Sequence, residues 1–111
     1  MTRRLVALLS DTHAGSRLGL MNPETVLWQE DESGQEVPWT PTPTAVQRWL
    51  WGHYLADITA TMGMAAGDDV ILVHNGDLTW GRKYPSELVS TRDSDQLLIA
   101  VANLEPWGAY P

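Results

Sequence analysis

The sequence predicts an α/β fold, a βαβα unit with parallel strands. Two observations carry this reading. Short continuous apolar runs, Leu5 to Leu9 and Val70 to Val73, have the composition of strands covered on both faces of a parallel sheet. Between and after them lie two longer segments whose apolar residues recur at helical spacing. Strand, helix, strand in that order places the two strands parallel through a right-handed crossover.

Residues 4–10 read as the first strand, bounded by Arg3-Arg4 before and Ser10-Asp11 after. A polar connection follows from about residue 14 to 42, with Gly15, Gly19, Asn22-Pro23, the acidic Glu30 to Gly34 segment, Pro38 and Pro41. Connections in compact domains run about 4–6 residues, so a loop this long is either functional or locally disordered. Within it, Val26 to Trp28 and Glu36 to Trp39 flank Asp31 to Gly34 in the manner of a small hairpin. Thr42-Pro43 predicts a helix start, with Thr42 as N-cap and Pro43 at the first helical position. From residue 44 to about 65, Leu50, Trp51, Tyr54, Leu55, Ile58 and Met62 fall on one helical face, and Gly63 and Gly67 mark the exit. The second strand covers about 70–75. A second helix is expected over about 91–104, with Leu97, Leu98, Val101 and Leu104 as its apolar face and Pro106 beyond its end. Two strands alone do not make a stable sheet, so something must cover or extend them.

The chain has 111 residues, the length of one domain. Apolar residues form 43% and charged residues 19%, which places it among ordinary globular proteins rather than disordered ones. A formal net charge of −7 argues against a surface that coats nucleic acid, although a nucleic acid held locally remains compatible. The absence of cysteine excludes disulfides, zinc–thiolate sites and cysteine nucleophiles. The apolar run after Arg3-Arg4 is too short for a signal peptide, and no run approaches the length of a membrane span. A soluble, cytoplasmic protein without membrane contact is the expectation.

Both predicted strands end in polar residues suited to metal chemistry. The first delivers Asp11 and His13, and the second delivers Asp77 after Gly76. In parallel α/β sheets ligands bind beyond the carboxyl ends of the strands, and adjacent strands lie about 5 Å apart there. An aspartate and a histidine two positions apart face one side of an extended segment, so the three side chains can converge. Two carboxylates and an imidazole suit manganese, iron, zinc or nickel better than calcium. The alternative is that the aspartates cap turns and His13 is a surface histidine.

The stretches Ser-Asp11-Thr-His13 and His-Asn-Gly76-Asp77 resemble the first two motifs, Asp-x-His and Gly-Asp, of the calcineurin-like metallophosphoesterases. The resemblance implies the N-terminal part of a four-layer α/β/β/α sandwich that holds two divalent metal ions. It implies hydrolysis of a phosphate mono- or diester by metal-activated water, with a nucleotide or nucleic acid among the candidate substrates. Asp11 and His13 would ligate the first metal, and Asp77 would bridge both. The family's later Gly-Asn-His and Gly-His-x-His motifs are absent from the sequence. The chain therefore reads as a phosphoesterase portion not active alone, and the long loop is the candidate for substrate choice. The alternative is a non-catalytic module that binds a metal or a partner, self-associating through its open sheet edge.

Other polar residues have two readings each. His74 points away from Asp77 in an extended strand and reads as a core residue or a support behind the ligands. Asn75 could orient Asp77 or bond within the turn. Arg17, Arg82 and Lys83 follow the two motifs and could hold substrate phosphate or stand in solvent. His53 and Asp57, four apart, read as a helix-surface pair. The chain has six Trp and no Phe. Trp49 and Trp51 read as core or interface residues, and Trp28, Trp39 and Trp80 as packing for the long loop or a stacking platform.

Overall fold

The computed structural model describes residues 3–81, 84–90 and 92–108. The architecture is mixed α/β. Strand β1 (Arg4–Leu9) is followed by the hairpin β2 (Leu27–Glu30) and β3 (Glu36–Trp39), helix α1 (Ala45–Ala65), strand β4 (Asp69–His74) and helix α2 (Asp93–Leu104). Strands β1 and β4 pair in parallel, Arg4 opposite Asp69 and Leu9 opposite His74. The hairpin is a separate antiparallel pair with Leu27 opposite Trp39. Arg3 and Asp68 add a charged clasp at 2.8 Å where β4 begins.

Helix α1 starts one turn signal later than Thr42-Pro43 suggests. Thr44 is the N-cap, its hydroxyl accepting from Gln47 N–H while the Gln47 side chain accepts from Thr44 N–H. This reciprocal capping box satisfies two orphan donors at once, which a Thr42 cap would leave unmet. At the other end the helix runs through Gly63, and Ala66 rather than a glycine takes the left-handed cap conformation at φ 50°. The α1 residues Leu50, Trp51, Tyr54 and Ile58 pack with Leu20 and Trp107 on Ala7, Leu9, Val70 and Leu72. Leu55 and Met62, expected on that face, stay exposed.

The strands are covered on one face only, contrary to the expectation of burial on both. Along β1 and β4 burial alternates residue by residue, and Val6, Leu8, Ile71 and Val73 form an open apolar face. Helix α2 does not cover it. It packs instead on the hairpin and the long loop, where Ile99 and Ala100 join Ala14, Met21 and Leu27 in a second core. The expected α2 face is thereby reversed: Leu97 and Val101 are 57% and 61% exposed, while Gln96, Ile99, Ala100 and Asn103 are buried. Those four residues also sit at i, i+3, i+4 and i+7. Thr91, the expected first residue of this helix, lies outside the described residues.

Buried amide side chains order the long loop. Gln47 donates to the Ser16 carbonyl. Asn103 accepts from Asn22 N–H and donates to the Leu20 carbonyl, both at 2.9 Å. Backbone groups that enter the interior without a ladder must find partners, and these side chains supply them. Tyr54 adds its hydroxyl to the Asn103 carbonyl and accepts from the Trp107 indole, joining the two cores.

Candidate metal centre

The parallel pairing of β1 and β4 continues beyond both strands as a ladder between two loops. Asn75 N–H donates to the Leu9 carbonyl, Asp11 N–H to Gly76, His13 N–H to Asp77 and Ala14 N–H to Leu78. This ladder carries Asp11 and His13 alongside Asp77. The three residues do not converge through an extended backbone, as period-2 reasoning expected. Asp11, His13 and Asp77 all adopt left-handed conformations, with φ of 56°, 48° and 50°. Aspartate and histidine are among the non-glycine residues found there most often, yet each such residue still costs roughly 1 kcal/mol. Three in one cluster is a local strain of the kind concentrated at functional sites. Gly76, at φ 87°, makes the sharp entry to Asp77 without that cost.

One ligand atom from each of Asp11, His13 and Asp77 lies within 4.8 Å of the others. His13 Nε2 stands 3.8 Å from Asp11 Oδ1 and 3.8 Å from Asp77 Oδ2. Ligand bonds of about 2.0–2.2 Å allow two ligands of one ion to stand up to about 4.3 Å apart, so these separations fit a shared transition-metal ion. The mixed oxygen and nitrogen donor set fits the same class of ion. The Asp11 carboxyl is held below its ordinary pKa, first by its hydrogen bond with Asp77, then by the Ser10 hydroxyl, and further by the nearby His13 and His74 rings. Ser10 Oγ donates to Asp11 Oδ2 at 3.1 Å.

Thr12, between the two candidate ligands, ties the loop to β4 and the segment after it. Its hydroxyl donates to the Leu78 carbonyl at 3.3 Å and lies 2.8 Å from His74 Nε2. Among the described residues His74 Nδ1 is buried without a hydrogen-bond partner. His74 therefore supports the ligand loop from behind and does not join the cluster. Thr12 also accepts from Leu20 N–H at 2.9 Å through its carbonyl, and Gly19 packs so closely that an added Cβ would clash with the His13 carbonyl oxygen.

The remaining expected residues divide. Asn75 contributes its backbone to the ladder, and no side-chain hydrogen bond joins it to Asp77 among the described residues. Arg17 spends its Nε–H on the Leu88 carbonyl at 3.1 Å, fastening the long loop to the segment before α2. Arg82 and Lys83 lie outside the described residues. Trp80 packs against a candidate ligand, its ring edge-on to His13 with centroids 4.9 Å apart. Trp49 is exposed against His53, Trp51 and Trp39 flank the two cores, and Trp28 is exposed on the hairpin. Among the described residues no ion pair joins His53 to Asp57; both line a cavity of about 260 Å³ that also includes Asp11, Thr12 and His13. Leu9, Leu18, Leu20, Leu50 and Tyr54 form its apolar wall.

Sequence reasoning missed Ser10 and Thr12, whose hydroxyls bond beside the candidate ligands. Thr12 carried a signal, because a hydroxyl residue between two ligands can anchor a turn. No helix among the described residues is long and apolar enough to cross a membrane. Comparison of the chain with protein-family models, curated proteins and solved structures returns no match.

Proposed function

We propose that the chain carries the metal-binding part of a phosphoesterase site, with Asp11, His13 and Asp77 as ligands of a divalent transition-metal ion. The observation that carries the proposal is the convergence of these three donors, each in a strained left-handed conformation, on a loop ladder beyond two parallel strands. Such an ion, when bound, supplies Lewis acidity toward phosphoryl oxygens and water. Asp11 and Asp77 supply the negative charge that attracts it. His13 presents Nε2 to both carboxylates, and Thr12 with His74 fixes the loop between them. The adjoining cavity offers an apolar wall to the organic part of an ester, with His53 and Asp57 at its α1 side. Support for the family reading is the Asp-x-His and Gly-Asp spacing together with this placement. The described residues present one such cluster, and the Gly-Asn-His and Gly-His-x-His motifs are absent, so a two-metal centre within this chain is not part of the proposal.

A test is phosphate binding by the manganese-loaded chain, read as broadening of the ³¹P resonance of inorganic phosphate beyond that caused by free Mn²⁺. The expected result is broadening that disappears in Asp77→Asn. Manganese binding without any such phosphate effect would favour a second reading, a non-catalytic module. That reading draws support from the open face of Val6, Leu8, Ile71 and Val73, a surface suited to a partner chain.

A further inference from the structure

Helix α2 lies far from the ligands in sequence, yet it holds one of the loops that carry them. Gln96, only 2% exposed, reaches from α2 to Gly81. Its Oε1 accepts from Gly81 N–H at 3.0 Å, and its Nε2–H donates to the Gly81 carbonyl at 2.8 Å. An amide side chain thus pairs with a peptide unit as a neighbouring strand would, fixing both polar groups of one residue. The site is built for it on the other side as well. A Cβ on Gly15 would stand 2.6 Å from Gln96 Cγ and 2.8 Å from Cδ, and Gly15 has φ 103°. Gly15 therefore leaves the space that the Gln96 side chain crosses.

Gly81 follows Trp80 directly. Trp80 N–H donates to the Ala14 carbonyl at 3.0 Å, and its ring stands edge-on to His13. The Gly15 and Gly81 backbones thus flank the Ala14 and Trp80 link, with Gln96 between them. No other described side chain bonds to Gly81.

We propose that Gln96 is a positioning residue for His13, acting through Gly81 and the Trp80 ring to hold the imidazole where it faces Asp11 and Asp77. Its consequence for metal affinity rests on the metal reading given above; the positioning of the ring does not. Groups that orient a histidine ligand without touching the ion change affinity about 10–100-fold when removed. Gln96→Met keeps the length and volume of the side chain and loses both hydrogen bonds. Gln96→Glu keeps an acceptor for Gly81 N–H and loses the donor to its carbonyl.

The test has two readouts on the full chain. The first is the NMR shift of the His13 ring protons in metal-free protein, which senses the Trp80 ring current. Trp80→Leu sets the shift expected when that ring is gone. Gln96→Met is expected to move the His13 signals toward that value and Gln96→Glu part of the way, with Tyr54 and Ile58 signals in the other core unchanged. The second is the Mn²⁺ dissociation constant by calorimetry, expected to rise about tenfold in Gln96→Met. His13 shifts unchanged in Gln96→Met while Trp80→Leu moves them would overturn the proposal, and if that variant does not fold, the same comparison with Gln96→Glu decides. Failure of the wild-type chain to bind Mn²⁺ with His13 shifts still following Gln96 would refute the metal reading and leave the positioning role established.

Discussion

Replacing Asn103 by alanine removes the clamp that joins α2 to the first half of the long loop. The Asn103 side chain is 2% exposed and serves two backbone groups, Asn22 N–H and the Leu20 carbonyl, in residues that are themselves buried. Each group left without a partner in the interior costs about 1–3 kcal/mol, and truncation adds a small void. The expected loss is about 2–5 kcal/mol, a large share of the roughly 5–15 kcal/mol that holds a typical domain folded. Urea unfolding followed by tryptophan fluorescence and circular dichroism measures it as a fall in midpoint at constant slope. The effect should extend to the metal site, because Leu20 N–H bonds the Thr12 carbonyl between two ligands. A loss below about 1 kcal/mol would refute the reasoning, since it would mean that water or another group replaces both bonds at no net cost.

Gly19→Ala should cost at least about 1–3 kcal/mol and weaken Mn²⁺ binding, because the new Cβ meets the His13 carbonyl oxygen, a backbone atom that can yield only by moving the ligand loop; thermal melts and metal titration of one preparation check both effects. Leu27→Ala, at a fully buried position, should cost about 2–5 kcal/mol, whereas Leu8→Ala, 71% exposed on the open sheet face, should stay within about 0.5 kcal/mol of wild type in urea. Asp31 is held below its ordinary pKa first by the Ser33 hydroxyl and then by Gln35 N–H. A depressed folded pKa contributes stability that is complete above the ordinary carboxylate range and is lost as pH falls through the folded value. The difference in urea midpoint between wild type and Asp31→Ala should therefore be constant near neutrality and shrink in acid; a difference that grows in acid would contradict the hairpin geometry.

Strand order, the parallel pairing and the hairpin were legible because each rests on local pattern: continuous apolar runs, helical spacing between them, and a Ser-Gly turn between two β-prone segments. The candidate ligands were legible because strand ends announce themselves where apolar residues give way to Asp11, His13 and Asp77. What misled was the preference for the most apolar stripe. On α2, Leu97, Leu98 and Val101 outweigh Gln96, Ile99, Ala100 and Asn103 in hydropathy, but the partner surface is loop backbone, which needs amides and small residues more than leucines. The one-sided burial of β1 and β4 was hidden for a related reason. Leu8 and Ile71 have the composition of covered positions, and nothing in a strand's own sequence states which layer lies above it. The left-handed turns at the ligands could not be read either, since aspartate and histidine tolerate that conformation without requiring it.

The most direct test of the metal assignment is calorimetric titration of Mn²⁺ into the wild-type chain, Asp11→Asn and Asp77→Asn, each first shown to be folded by circular dichroism. A single saturable class of site in the wild type, weakened at least about tenfold in both variants, is the expected result. Equal affinity in all three proteins, or no saturable binding by the wild type, would contradict the assignment of Asp11, His13 and Asp77 as metal ligands.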